Sequence, residues 1–235
     1  MTHPVPIRRS RPRLLAAFCG VGGDTAGYRQ AGFHVTGVDL APQPRYAGDA
    51  FHQGDAVDFI REHGHEYDLI HAGPPCQFDC TLTAGTNAAK RSGYPDLLEP
   101  TRAALEATGR PHVIEQPPGR AAKRMRVDVT LCGEMFGLGV IRHRNFELGH
   151  WTAPEPAHLP HRGRVAGMRH GVWYQGPYFQ VYGEGGGKGT VAQWQQAMGI
   201  DWTDVRKEIA EAIPPAYGQW LGRAFLTQAT LEVAA

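Results

Sequence analysis

The chain has 235 residues, 42% of them hydrophobic, and its 24 basic and 23 acidic residues leave a formal net charge of +1. That length carries one large domain with its own core, and the near-neutral balance argues against a general polyanion binder. Four cysteines, at 19, 76, 80 and 132, are too few for a disulfide scaffold, no run approaches a membrane span, and "LLAAF" behind the basic "THPVPIRRSRPR" is too short for a signal peptide, so the expectation is a cytoplasmic protein with reduced thiols.

In chain order, "RLLAAFCG" reads as a buried strand, and "VGGDTAGYRQAGF" as a glycine turn into a helix capped by Asp24 or Thr25 and stopped by Gly32. "HVTGVDL" is a second strand ending near Asp39, and "APQPRYAGDAFHQGD", with its prolines and glycines, is mostly loop. "AVDFIREHG" is a short helix with Val57, Phe59 and Ile60 as apolar contacts, and "YDLIHAG" is a strand running into Pro74. Residues 77–94 are polar and rich in threonine and glycine, a long loop of the kind that does work in compact domains. "PDLLEPTRAALEATG" is a helix ended by Gly109, and "PHVIEQPPG" is a strand to Glu115 and then a Pro-Pro turn. "RHRNFEL" is a strand with Arg142 and Arg144 on one face. Residues 150–190 lose helical period and read as an irregular insertion before two helices, "VAQWQQAMG" and "WTDVRKEIAEAI", the second with Val205, Ile209 and Ile213 on one face and Pro214 as its stop.

Strand and helix alternate through the first 150 residues, which predicts βαβ units, a mainly parallel sheet, and ligands outside the carboxyl ends of the strands. The unusual residues gather at those ends. "FCGVGG" brings backbone N–H groups to a helix start, where a nucleotide-like ligand can approach closely, and Asp39 follows at the spacing of a ribose-binding acid. Cys76 sits behind two prolines in "HAGPPCQFDC", open to reading as nucleophile, metal ligand or small filler. Glu115 ends the neighbouring strand. Basic clusters at 8–13, 119–126, 142–144 and 161–170 can form local patches for phosphate or simply stay solvated. The zinc-dependent nucleobase-deaminase pattern, H-x-E with P-C-x-x-C, is missed at both halves by "HGHE" at 63–66 and "PCQFDC" at 75–80, and no metal is expected. Cys19, Cys80 and Cys132 read as structural, and Trp151, Trp173 and Tyr178 as packing for a small subdomain in preference to base-stacking groups.

"LLAAFCGVGGDTAGYRQAGFHVTGVDL", "GPPCQ", "VIEQPPG", "RHRNFE" and "AIPPAYGQWLG" stand in the order of the DNA cytosine-5 methyltransferase motifs, and the chain resembles a compact phage or bacterial member of that family across residues 13–225. The resemblance implies an α/β, Rossmann-like class I methyltransferase fold. It divides the chain into a catalytic and cofactor-binding domain over 1–147, a small recognition insertion over 148–193, and C-terminal helices over 194–235 that return to the first domain. It implies S-adenosylmethionine as cofactor, cytosine-containing DNA as partner, and a monomer. Phe18, Cys19, Gly20, Gly22 and Gly23 would hold the cofactor, Phe18 against its adenine, with Asp39 at the ribose hydroxyls and Leu40 also binding the cofactor. Asp55 would contact its adenine amino group and Leu97 would line the adenine pocket, Pro214, Pro215 and Ala216 would lie near its methionine end, and Ala56 and Pro74 would also bind the cofactor. Cys76 would be the nucleophile, with Glu115, Arg142 and Arg144 completing the catalytic set, while Gln77, Thr81, Lys90, Arg91, Ser92, Arg162 and Arg164 would contact DNA.

The chain departs from the family at Ala16, where an Asp is usual, at Gln116 in place of Asn, and at Val140 in place of Gln, and its insertion is shorter than the family's recognition region. These departures keep two alternatives open: transfer of a larger group from a modified cofactor, and a non-catalytic DNA-binding relative.

Overall fold

A computed structural model describes residues 11–76, 95–183 and 189–234. Seven strands form one sheet: β1 (Arg13–Ala17), β2 (His34–Asp39), β3 (Ala50–Gln53), β4 (Leu69–Ala72), β5 (His112–Gln116), β6 (Val129–Leu131) and β7 (Arg144–Gly149). Their spatial order is β3-β2-β1-β4-β5-β7-β6. The first five pair in parallel, and β7 enters antiparallel between β5 and β6. The helices are α1 (Gly23–Ala31), α2 (Ala56–His63), α3 (Leu98–Thr108), α4 (Val191–Met198), α5 (Arg206–Glu211) and α6 (Pro215–Ala234). A separate hairpin, β8 (Gly167–Arg169) with β9 (Val172–Tyr174), lies in the segment between β7 and α4.

The central strands are apolar almost without alternation because helices cover both faces of the sheet. Along β1, Leu14 and Ala16 point into the layer shared with Tyr28, Phe33, Tyr217 and Leu221, while Leu15 and Ala17 point into the layer of Val57, Ile60, Leu105 and Ile114. A third cluster, with Val21, Val140, Trp194, Met198 and Ile209, ties α4 and α5 to the glycine turn after β1 and to the approach to β7.

Helix α6 lies directly on α1. A β-carbon on Gly27 would stand 1.8 Å from the Pro215 carbonyl oxygen, and one on Gly218 would stand 2.1 Å from that of Asp24. The missing side chains therefore set how closely the two backbones approach.

Several sequence expectations need correction. Residues 41–55 are mostly loop, as expected, but also hold an unforeseen strand: Ala50–Gln53 pair with Thr36–Asp39 at the sheet edge, too short and polar to carry a period of their own. Strand β6 was not foreseen. Helix α1 has Gly22 as its N-cap at φ 82°, with no side chain capping it; Asp24 lies inside the first turn and Gly32 ends the helix as expected. "WTDVRKEIAEAI" is helical only over Arg206–Glu211, because the Thr203 hydroxyl accepts from the Val205 N–H at 3.2 Å and holds a turn, and Ala212 is already extended ahead of the Pro-Pro pair. Strand β7 begins at Arg144, so Arg142 precedes it.

Candidate active site

The glycine turn follows β1 at the carboxyl edge of the sheet. Phe18 takes a left-handed φ of 59°, and Gly20 and Gly22 are also left-handed. A β-carbon on Gly20 would meet nothing within 4 Å, so this backbone faces open space. Asp39, at the end of β2, accepts from the Gly20 N–H at 2.9 Å and from the Ala41 N–H at 3.0 Å, one bond to each oxygen, which leaves lone pairs on both. Beyond it Leu40 is 74% exposed. Asp55 caps α2, its Oδ1 accepting from Val57 and Asp58, with Ala56 buried behind it. Leu97 is half-buried at the start of α3. The glycine turn, Asp39 and Asp55 follow the carboxyl ends of β1, β2 and β3 in turn, and Leu97 opens α3 after β4. The Cys19 thiol is buried and pushed far up by that burial and by Asp39 and Asp24, so it stays protonated, and Cys19 contributes backbone instead. Trp202 Nε1 donates to the Val21 carbonyl at 3.2 Å and holds the turn from the other side.

The second half of the site joins β4, β5 and the start of β7. Cys76 is half-buried at the end of the Pro74-Pro75 brace. Glu115 is 7% exposed, and Arg144 Nε lies 2.7 Å from its Oε1. A β-carbon on Gly73 would stand 3.6 Å from Glu115 Oε2, which measures how near the loop carrying Cys76 passes to this carboxyl. Burial raises the Glu115 pKa, against the downward pull of Arg144 and Arg142. Gln116 is 2% exposed and donates its amide Nε2 to the Pro74 carbonyl at 2.7 Å. It thereby clamps the strand that carries the acid to the loop that carries the thiol.

Arg142 is buried and anchors backbone: Nη1 donates to Val181 at 2.9 Å and Nη2 to Ala210 at 2.6 Å. The Tyr217 hydroxyl donates to the Arg142 carbonyl at 2.5 Å. Burial, then Arg144, pull the Arg142 pKa down to about 9; Glu115 and Cys76 oppose this, so both lie within its electrostatic reach. Arg142 and Arg144 therefore do different work, one bracing three chain segments and the other partnering Glu115. Beside them a cleft of about 430 Å³ is lined by Pro118, Ile141, Arg142, Arg144, Gln180 and Tyr182. A larger one, about 610 Å³, lies among Arg126, Trp151 and Gln228 and touches none of these groups.

Pro215 and Ala216 open α6 beside α1, with Pro214 just before them. Gln77, Thr81, Lys90, Arg91, Ser92 and Cys80 lie outside the described residues. Arg162 pairs with Glu134 at 2.6 Å, and Arg164 stands over the Tyr174 ring at 5.8 Å. In the 119–126 cluster, Arg124 pairs with Asp96 and Arg126 with Asp128, each at 2.8 Å. Trp151 and Tyr178 are buried, Trp151 Nε1 donating to the His112 carbonyl at 2.9 Å, while Trp173 is 44% exposed. Sequence reasoning missed a buried trio under the glycine turn: Asp24 Oδ2 is 3.2 Å from His71 Nε2, and the Tyr28 hydroxyl is 3.0 Å from His71 Nδ1. A polar residue at each element's inward face was the available signal.

No protein-family model and no curated protein sequence matches the chain. Among solved structures, it is similar to the Dnmt2 methyltransferase of S. pombe at TM-score 0.59 and 12% identity, over 93% of this chain and 99% of that one. A SAM-dependent methyltransferase from Agrobacterium tumefaciens matches at TM-score 0.30 and 19% identity over 48% of this chain and 41% of that one. The 1,6-didemethyltoxoflavin-N1-methyltransferase of Burkholderia thailandensis matches at TM-score 0.31 and 20% identity, over 46% and 45%. Taken with the strand order and the reversed β7, the first match shows a Rossmann-like class I methyltransferase fold over nearly the whole chain.

Proposed function

We propose that the chain is an S-adenosylmethionine-dependent methyltransferase acting on C5 of cytosine in DNA. The observation that carries this reading is the buried Glu115–Arg144 pair beside the braced Cys76 loop, at the carboxyl edge of a class I sheet. The open backbone at Gly20, the Asp39 carboxylate with spare lone pairs, and Asp55 fixed as the cap of α2 suit the cofactor's amino-acid, ribose and adenine parts. When bound, S-adenosylmethionine supplies an electrophilic methyl group to C5.

Cytosine C5 is a weak nucleophile until a thiolate adds at C6. Bonding of the Cys76 sulfur to C6 moves the ring's electron pair onto C5 and N3, and the raised pKa of Glu115 lets its carboxyl hand a proton to N3 as that charge grows. Arg144 holds the carboxyl in place throughout. After C5 has gained its methyl group, loss of the C5 proton to a base returns an electron pair to the ring, the C6–S bond breaks to regenerate the thiolate, and N3 gives its proton back to the Glu115 carboxylate. The target base has to leave the duplex stack to reach these groups, and the cleft of about 430 Å³ beside Arg144, lined also by Gln180 and Tyr182, offers room there. Gln116 has a structural task here, bracing Pro74, so its departure from the family pattern does not call for a larger transferred group.

The test is mass spectrometry of nucleosides after the chain has acted on DNA with S-adenosylmethionine. We expect 5-methylcytosine, abolished by at least about 10³-fold in Cys76→Ser, and a covalent adduct with a 5-fluorocytosine duplex in the wild type alone. A heavier base would overturn the plain methyl. Cofactor binding with neither product nor adduct would mark a binding protein, and modification of RNA alone would overturn the DNA substrate.

A further inference from the structure

Cys132, His143, His158 and His161 come from three separated stretches of chain, and one ligand atom of each lies within 4.8 Å of all the others. Cys132 follows β6, His143 immediately precedes β7, and His158 and His161 lie on the segment after β7. Cys132 Sγ is 3.5 Å from His161 Nε2, and His143 Nε2 is 3.2 Å from His158 Nε2. Tetrahedral zinc with bonds of about 2.3 Å to sulfur and 2.05 Å to nitrogen separates S from N by about 3.6 Å and N from N by about 3.3 Å. The two distances match those spacings. Two imidazole Nε2 atoms facing each other, with a third nitrogen and a sulfur converging on the same point, suit a cation that accepts a lone pair from every one of them.

We propose that these four side chains form a zinc site that fastens the segment after β7 to the edge of the sheet. A borderline nitrogen and sulfur set favours Zn²⁺ over the oxygen-seeking Mg²⁺ and Ca²⁺, and four protein ligands leave no open position, which makes the site structural. Binding releases the Cys132 thiol proton to solvent and leaves the imidazoles neutral. The nearby carboxylate is already engaged, since Glu134 pairs with Arg162 one residue past His161. That pair, and the Thr130 N–H donated to Glu155 at 3.1 Å, pin the same segment on either side of the cluster. The site also bears on the active site without entering it: His143 lies between Arg142 and Arg144, and Arg144 Nη1 donates to the His143 carbonyl at 2.8 Å.

The spacing Cys132-x10-His143-x14-His158-x2-His161 lies far from the compact deaminase pattern, and only the fold brings the four side chains together. The inference is independent of the methyltransferase reading, because its readouts are metal content and spectrum.

The full chain, purified without chelator or affinity histidines, is analysed for metal by mass spectrometry, then stripped and titrated with Co²⁺. We expect one zinc per chain, and for cobalt the visible bands of tetrahedral geometry with a near-ultraviolet thiolate charge-transfer band. Cys132→Ser removes the charge-transfer band, and a His158→Ala/His161→Ala double variant reduces zinc to background. A wild-type chain that neither carries nor takes up zinc overturns the proposal, as does an octahedral cobalt spectrum or a double variant that keeps its full equivalent. Should the double variant fail to fold, the wild-type stoichiometry and cobalt spectrum decide the question alone.

Discussion

Burial and two arginines pull the Glu115 carboxyl in opposite directions, and burial prevails, so its pKa is raised. The proton it holds is the one the proposed chemistry uses, which fixes the sign of a pH effect: the donor is present below the raised pKa and is lost as pH climbs through it. The alkaline limb of the kcat profile should therefore be absent from Glu115→Gln, whose rate falls by about 10²-fold or more while cofactor affinity measured by calorimetry holds. A variant that keeps both its rate and that limb would remove Glu115 from the chemistry. Cys76 and Glu115 were legible in the sequence because each combines a reactive residue type with a strand end. The tasks of Gln116 and Arg142 were not, since the carbonyls they reach belong to Pro74, Val181 and Ala210. Only the folded chain brings those groups within reach.

At the scale of elements, the fit of α6 on α1 is unusually close because it is backbone against backbone. Gly27→Ala drives a methyl into the Pro215 carbonyl, and neither helix can yield without disturbing the glycine turn. A loss of about 2–3 kcal/mol is expected, seen as a fall in Tm of roughly 5–10 °C by thermal denaturation; an unchanged Tm would show that the helices stand farther apart. Helices α1, α2 and α3 were readable from their stop glycines or apolar spacing, and β1, β2, β4 and β5 from apolar runs between turns. Strands β3 and β6 were not, because a short edge strand is made by the open edge it joins and carries little pattern of its own. The shortening of α5 was hidden for a similar reason: Thr203 competes locally for the backbone that a regular apolar spacing had assigned to the helix.

At the scale of the molecule, two imidazoles among the described residues, His71 and His112, are shut in the interior, and burial lowers the pKa of each, with Asp24 and the Arg110 carbonyl pulling the other way. The unfolded chain takes up protons near the ordinary histidine value of about 6.5, which the native state refuses. Stability is thus intact above that value and declines as pH falls toward the depressed native values. His71→Gln should flatten the acid slope of Tm by up to one proton, about 1.4 kcal/mol per pH unit, and an unaltered slope would place the proton uptake elsewhere. The sheet class and the alternation of elements could be read from sequence, while the insertion of β7 between β5 and β6 rests on pairings that no local pattern encodes. That arrangement and the α1–α6 contact also constrain the order of assembly. A ribosome emits α1 nearly two hundred residues before the helix that covers it, so the early half of the chain must wait with its glycine ridge bare and one margin of its central sheet unpaired. Maturation is then a late, cooperative closure instead of a stepwise build-up, and dependence on chaperones should track the interval before α6 emerges.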